Sequence, residues 1–343
     1  MTLPSSSEAS LFDLEGAAIR SRWLDGDIAD ADAMRLWERL RKGVDQGASA
    51  TLQDVGQSTN AESAQSLALS TRIGIRTDSN EPKTFHHRGS SSFQLAPVSD
   101  AVHWTEVGSV AVACRVQVTR SPVLIVTFHG VLQRSKYQLP RFEWLNSLRS
   151  LGHNVVSFGD PTMDLVPSLE GGWWLGTALT DLQPHLADVV TRIREGIGAD
   201  HLMLTGSSMG GYGALQLGGY FPDSTVVAFN PQTDVRRYHA KRVTRTAMGA
   251  VFGTDAEPDP IRVSVIDRYA GTDMSPSRIR YVTNVGDRHH IEDHFNPFAA
   301  ALAADASTTL ERSVRDDGDG HVKIPADVFV STIKEEAELL GHR

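Results

Sequence analysis

The chain has 343 residues, 40% of them hydrophobic, with a formal net charge of −9 and a single cysteine. That length accommodates one large α/β domain with an appendage, or two modest domains. The acidic balance excludes a basic footprint for nucleic acid, the lone Cys114 excludes an intrachain disulfide framework, and no apolar run reaches membrane-spanning length.

In chain order, Leu11, Leu14, Ala18, Ile19 and Trp23, then Ala33, Leu36, Trp37 and Leu40, recur at helical spacing between residues 8 and 45. Residues 46–70 turn to Ala, Ser, Thr, Gln and Asn and read as a linker. The expected organisation is a helical N-terminal extension and linker over 1–80, followed by a domain over 81–343. The first ten residues are polar and lead into acidic ones, so no signal peptide is expected and the cytoplasm is the expected location.

Strands are predicted at Phe93–Leu95, Val102–Trp104 and Val110–Val118, the last carrying Cys114 as a buried residue. Then come the apolar, β-branched strand Pro122–Phe128, a helix near 141–150, the strand Asn154–Phe158 and a helix near 177–197. The short strand around Leu202–Leu204 leads into a further helix, and Ser224–Phe229, Arg278–Thr283 and Thr309–Val314 supply three more strands. Near-continuous apolar strands alternating with helices predict an α/β fold, a mostly parallel sheet covered on both faces. Residues 232–275, polar and arginine-rich, are expected to be a small helical cap insertion.

The stretch Gly206-Ser207-Ser208-Met209-Gly210 joins a predicted strand to a predicted helix. A sharp strand-to-helix turn that exposes a serine needs tiny neighbours two residues either side, and Gly206 and Gly210 meet that need. Ser208 is then the nucleophile. Its hydroxyl needs a base, and the base needs an orienting carboxylate. Chain order puts the acid after the Arg278–Thr283 strand and the base after the last strand, which selects Asp287 and His321. Asp293 and Asp234 compete with Asp287 as the acid. His289, His290 and His294, with Glu292 and Asp293, form an alternative metal-binding group, but no His-Glu-x-x-His motif accompanies them and no metal or other cofactor is expected.

Oxyanion donors are expected from Met209 and from the turn His129-Gly130-Val131, with Gly130 admitting close approach and Val131 donating. His129, Asp160, Trp173 and Trp174 are expected on loops at the same end of the sheet, lining a substrate pocket. Two glycine-flanked tryptophans suit stacking on a sugar, or equally anchor their loop in the core.

This ordered set resembles the α/β-hydrolase superfamily over about residues 90–340. Phe128-His129-Gly130, Asp160-Pro161, the Gly172–Gly176 loop and the Gly206–Gly213 elbow are also similar to hydrolase-fold proteins of bacterial capsule and accessory-secretion glycosylation systems. That resemblance implies acyl, notably acetyl, chemistry on glycans; it leaves residues 1–80 uncovered. The expected function is a serine hydrolase cleaving a carboxylic ester or related acyl bond, on a small-molecule or glycan-linked substrate. An acyltransferase acting on a cell-surface glycan is the first alternative. A non-catalytic scaffold that binds a protein partner through N-terminal helices bearing Trp23 and Trp37 is the second.

Overall fold

The computed structural model describes residues 19, 22–29, 31–39, 82–303 and 305–341. The linker expected over 46–70 lies outside the described residues, as does much of the helical span expected over 8–45. Among the described residues no helix is long and apolar enough to cross a membrane.

Nine strands form one sheet: β1 (Lys83–His87), β2 (Asp100–Val107), β3 (Val110–Gln117), β4 (Val123–Phe128), β5 (Asn154–Phe158), β6 (His201–Ser207), β7 (Thr225–Phe229), β8 (Arg278–Asn284) and β9 (Thr309–Arg315). Their spatial order is β1-β2-β3-β5-β4-β6-β7-β8-β9. Only the pairings of β3 with β2 and with β5 are antiparallel. Helices follow as α1 (Leu145–Arg149), α2 (Gln183–Ile197), α3 (Met209–Gly218), α4 (Lys241–Phe252), α5 (Pro260–Val263), α6 (Val265–Thr272), α7 (Asn296–Leu302) and α8 (Ala326–Gly341).

The central strands are apolar on both faces because both faces are covered. Side chains alternate along a strand, so Leu124, Val126 and Phe128 of β4 enter one core with α2 and α3. Val123 and Ile125 enter the opposite core, with Leu145 and Leu148 of α1 and Phe329, Ile333 and Ala337 of α8. On β6, Leu202 and Leu204 go one way and Met203 the other.

Three local expectations are corrected. Phe93 and Leu95 are buried, but their backbone joins no strand; they are apolar because they sit in the core. β1, Lys-Thr-Phe-His-His, was not anticipated, because an edge strand with three charged or polar residues exposed carries little β signal. The helices near 141 and 177 start later than expected, at Leu145 and Gln183.

Residues 31–39 are helical, and Trp37 packs edge-on against Phe85 of β1, at 5.5 Å between ring centroids, within a small core with Met34, Ala96, Val98 and Ala101. Trp23 packs partly buried against the main core. Between β7 and β8, α5 and α6 lie against α3: the Tyr212 hydroxyl donates to the Arg262 carbonyl at 2.6 Å and Tyr269 donates to the Leu215 carbonyl at 2.9 Å. The stretch before α4 carries Tyr238 and His239 to the end of the sheet where the elbow lies.

Candidate active site

The elbow is built as its glycines require. Ser208 stands at φ 56°, ψ −118° between β6 and α3, a strained conformation for a residue with a side chain. A Cβ on Gly206 would lie 2.3 Å from the Gly210 carbonyl carbon, and one on Gly210 would lie 2.3 Å from the Phe128 carbonyl oxygen. Both obstacles are backbone, which cannot swing aside. Gly210→Ala is therefore expected to cost about 3 kcal/mol or more of stability, read as a lowered Tm by calorimetry.

The three residues selected from sequence converge. The Ser208 hydroxyl meets His321 Nε2 at 2.8 Å, and His321 Nδ1 meets Asp287 Oδ2 at 2.7 Å. Asp287 follows β8, and its backbone N–H closes a turn onto the Asn284 carbonyl at 3.1 Å. His321 follows β9 on a loop whose Gly318 and Gly320 take φ of 97° and 78°, conformations that favour glycine. That loop is tied down rather than free. Asn284 Nδ2 donates to the carbonyls of Gly318 and Gly320 at 2.7 and 3.0 Å, and its Oδ1 accepts from Asp317 N–H at 3.0 Å. Asn284 thus clamps the base loop to the acid loop, a role nothing in its sequence context signalled.

The competing acids are engaged elsewhere. Asp293 is half exposed and pairs with His289 Nδ1 at 2.7 Å. Asp234 caps a short turn and binds Arg236 at 2.7 Å.

Residues 290–295, expected as loop, wind into a π-helical turn that runs into α7. It brings His290 onto the Asp287 carboxylate, with Nδ1 at 2.9 Å from both Oδ1 and Oδ2 and the backbone N–H donating to Oδ1 at 3.2 Å. Gln232 Nε2 reaches both Ser208 Oγ at 3.0 Å and His290 Nε2 at 2.9 Å, while its Oε1 accepts from the Trp173 indole N–H at 3.2 Å.

Among the described residues, one group of potential metal ligands converges: Asp287, His290 and His321, with ligand atoms within 4.8 Å of one another. Both imidazoles aim an Nδ1 at the carboxylate, so a cation would compete with two N–H donors. Of the histidine-rich set read from sequence, His294 instead accepts from Thr233 N–H at 3.2 Å, and Glu292 pairs with Arg288 at 3.2 Å.

Gly130 N–H donates to Glu143 Oε2 at 2.8 Å and is occupied. As the first residue of α3, Met209 has no intrahelical acceptor for its N–H. Among the described residues neither it nor the Val131 N–H meets an acceptor. The turn does abut the elbow, since a Cβ on Gly130 would lie 3.5 Å from the Ser207 carbonyl.

The four residues expected to line a pocket are interior instead. His129 is fully buried, its Nδ1 donating to the Gly130 carbonyl at 2.8 Å and its Nε2 accepting from Asp160 N–H at 3.1 Å. Asp160 accepts from the N–H groups of Thr162 at 3.0 Å and Trp174 at 2.9 Å. Trp173 and Trp174, at φ near 50°, are 0% and 1% exposed, so neither offers a face for a sugar. Their flanking glycines let the loop fold inward: a Cβ on Gly172 would strike the Asp160 carboxylate at 2.5 Å.

Burial and hydrogen bonding set the charges. Burial pushes His290 and His129 down to about 4, only partly offset for His290 by its bond to Asp287. Burial also lowers His294, with the neighbouring histidines adding to the effect. Burial would raise Asp287, but the hydrogen bonds from His290 and His321 outweigh it and hold the carboxyl well below the usual range. Asp160 is raised to about 6 by burial, against its N–H bonds.

Stability should follow pH accordingly. Between the ordinary histidine value of ~6.5 and about 4, the unfolded chain takes up protons that the fold resists at His129 and His290, each worth about 3 kcal/mol. Asp160 works in the opposite sense between about 6 and its ordinary value, offsetting one of them. Below the ordinary carboxylate range, protonation of Asp287 removes further stability. Tm is expected to fall as pH drops from 7 to 4; a Tm that rises on acidification contradicts the buried neutral histidines.

The parallel sheet, the serine at a strand-to-helix elbow and the element order define an α/β-hydrolase-like fold. No protein-family model matches the chain, and no curated protein matches its sequence. Among solved structures it is similar to the capsule O-acetyltransferase of Neisseria meningitidis serogroup A, at 17% identity and a TM-score of 0.50, over 70% of this chain and 94% of that one. An S-formylglutathione hydrolase from Agrobacterium tumefaciens matches at 15% identity and a TM-score of 0.48, over 71% and 94%. The Glycosylation Associate Protein (Gap123) complex from Streptococcus agalactiae matches at 14% and 0.48, over 72% of this chain and 46% of that one. At these identities the likeness is one of fold.

Proposed function

We propose that the protein is a cytoplasmic serine hydrolase that cleaves a carboxylic ester, or a related acyl bond, through a covalent acyl-enzyme. The observation that carries this reading is the unbroken hydrogen-bond path from the Ser208 hydroxyl, just after β6, through His321 to Asp287. In the first step Ser208 Oγ bonds to the acyl carbon while its proton passes to His321 Nε2. The carbonyl oxygen becomes an oxyanion, received by the N–H groups of Met209 and Val131. On collapse the bond to the leaving oxygen breaks and His321 gives its proton to that oxygen. Water, deprotonated by His321, then repeats the sequence and frees the acid and Ser208. Asp287 stays ionised throughout and stabilises the imidazolium. These steps require no cofactor.

A second reading, acyl transfer, uses the same acyl-enzyme with a sugar hydroxyl in place of water. It is kept because the capsule O-acetyltransferase has a similar fold. The sequence's own reason for preferring a glycan, two stacking tryptophans, is gone, since both are buried. The non-catalytic partner-binding reading loses support in the same way, because Trp37 packs into the chain's own core.

The test is labelling with a fluorophosphonate probe together with turnover of short p-nitrophenyl esters, with and without candidate glycan acceptors. Labelling and ester turnover that both depend on Ser208 are expected, and folded protein that does neither contradicts the proposal. Faster loss of ester in the presence of a glycan, with acylated glycan as product, favours transfer over hydrolysis.

A further inference from the structure

The hydrogen bonds around Ser208 do not end at Asp287. They return to the serine through two residues that the reaction steps leave unused. The Trp173 indole N–H can only donate, so the Gln232 atom facing it at 3.2 Å must be the carbonyl oxygen. That fixes the amide: its nitrogen faces Ser208 Oγ and His290 Nε2. An amide nitrogen has protons and no acceptor, so His290 Nε2 must present a lone pair. The His290 proton therefore sits on Nδ1, directed at the Asp287 carboxylate, with both oxygens at 2.9 Å. On the other arm His321 Nδ1 donates to Asp287 Oδ2, leaving Nε2 free to receive the serine proton. Every proton in the five-residue ring is assigned without conflict, starting from one donor-only group.

We infer that Gln232 and His290 are positioning residues for this chemistry: Gln232 holds the Ser208 hydroxyl toward His321, and His290 fixes the Asp287 carboxylate and draws off part of its charge. The inference rests on the proposed acyl-enzyme mechanism and extends it to a second histidine on the same acid. The rings of His290 and His321 stack face to face, with centroids 4.0 Å apart and planes 11° from parallel. A neutral His290 offers its ring face to the imidazolium that forms on His321, whereas a charged one would repel it. Its burial, at 1% exposure, keeps it neutral.

The groups facing His290 come from three segments. Asp287, His289 and His294 belong to its own stretch. His321 comes from the loop after β9. Tyr238 and His239 approach from the stretch after β7, at 6.3 and 6.0 Å between centroids.

The test uses the full chain and p-nitrophenyl acetate, with active sites counted by fluorophosphonate labelling. His290→Phe keeps a ring to stack on His321 but removes both hydrogen bonds. It is expected to lower kcat by roughly 10- to 100-fold, with KM within about twofold. It should also move the rising limb of the kcat/KM profile to higher pH, because Asp287 loses one of three N–H donors and its charge concentrates on His321. His290→Asn replaces the donor beside Asp287 and should return the limb to its original position. Gln232→Met leaves Asp287 untouched, so kcat should fall by a similar factor with the limb unmoved. The losses in the His290→Phe and Gln232→Met double variant should be less than multiplicative, as for members of one unit.

A His290→Phe enzyme with native kcat and an unmoved limb overturns the inference. If that variant does not fold, Gln232→Met decides, and native kcat there overturns it. Wild-type protein that neither labels nor turns over ester instead refutes the mechanism on which the inference rests, which separates the two failures.

Discussion

Ser208→Ala is expected to lower ester turnover by roughly 10⁵- to 10⁶-fold and to abolish fluorophosphonate labelling, with the fold retained. The magnitude follows from what the hydroxyl does. It supplies the atom that bonds to the acyl carbon, and without it His321 and Asp287 have no proton to move. Any residual rate would come from substrate binding and from the donors at Met209 and Val131. Stability should change little. Alanine retains the strained backbone at φ 56° and loses only the hydrogen bonds of a partly exposed hydroxyl. Turnover within about tenfold of wild type would remove Ser208 from the reaction.

Asp287→Asn should follow at on the order of 10⁴-fold in kcat. The carboxylate accepts from two imidazoles, from His321 Nδ1 on Oδ2 at 2.7 Å and from His290 Nδ1 at 2.9 Å from either oxygen. Asparagine has one carbonyl oxygen and one NH₂ group, and where the NH₂ group takes the Oδ2 place His321 Nδ1 meets a donor head-on. Whichever imidazole faces the NH₂ group must move its proton to Nε2. If that imidazole is His321, the serine faces an N–H and loses its base. The same change at Asp293 should leave kcat within about threefold, because Asp293 is half exposed on His289 and touches neither Asp287 nor His321. A larger loss at Asp293 than at Asp287 would exchange their roles. Both variants are compared by steady-state kinetics at fixed active-site concentration.

Much of this arrangement was legible in the sequence where one physical requirement admits few residue types. The elbow is such a place: Gly206 and Gly210 each face backbone at 2.3 Å, and no other residue fits. Strands β4 to β7 were visible because burial on both faces demands an apolar run. Asp287 and His321 were selected from position after a strand, not from the residues around them.

What stayed hidden depended on which way a loop folds. Trp173 and Trp174 looked equally suited to a sugar or to the core, and only the inward fold of the Gly171–Gly176 loop decides for the core. Glu143 had no signature marking it as the acceptor for Gly130 N–H, which removes that group from the oxyanion donors. Asn284 and Gln232 are common polar residues whose roles come from partners between 24 and 59 positions away. His290 was one histidine among several, and its place on Asp287 depends on a π-helical turn that local propensity does not forecast.

The most direct test is to mix the protein with p-nitrophenyl acetate, quench in acid and map the peptides by mass spectrometry. One acetyl group on Ser208 is expected, and far less of it when His321 is replaced by alanine, because the serine then has no base. Folded protein that carries no acetyl group, or carries it on another residue while still turning over ester, contradicts the account.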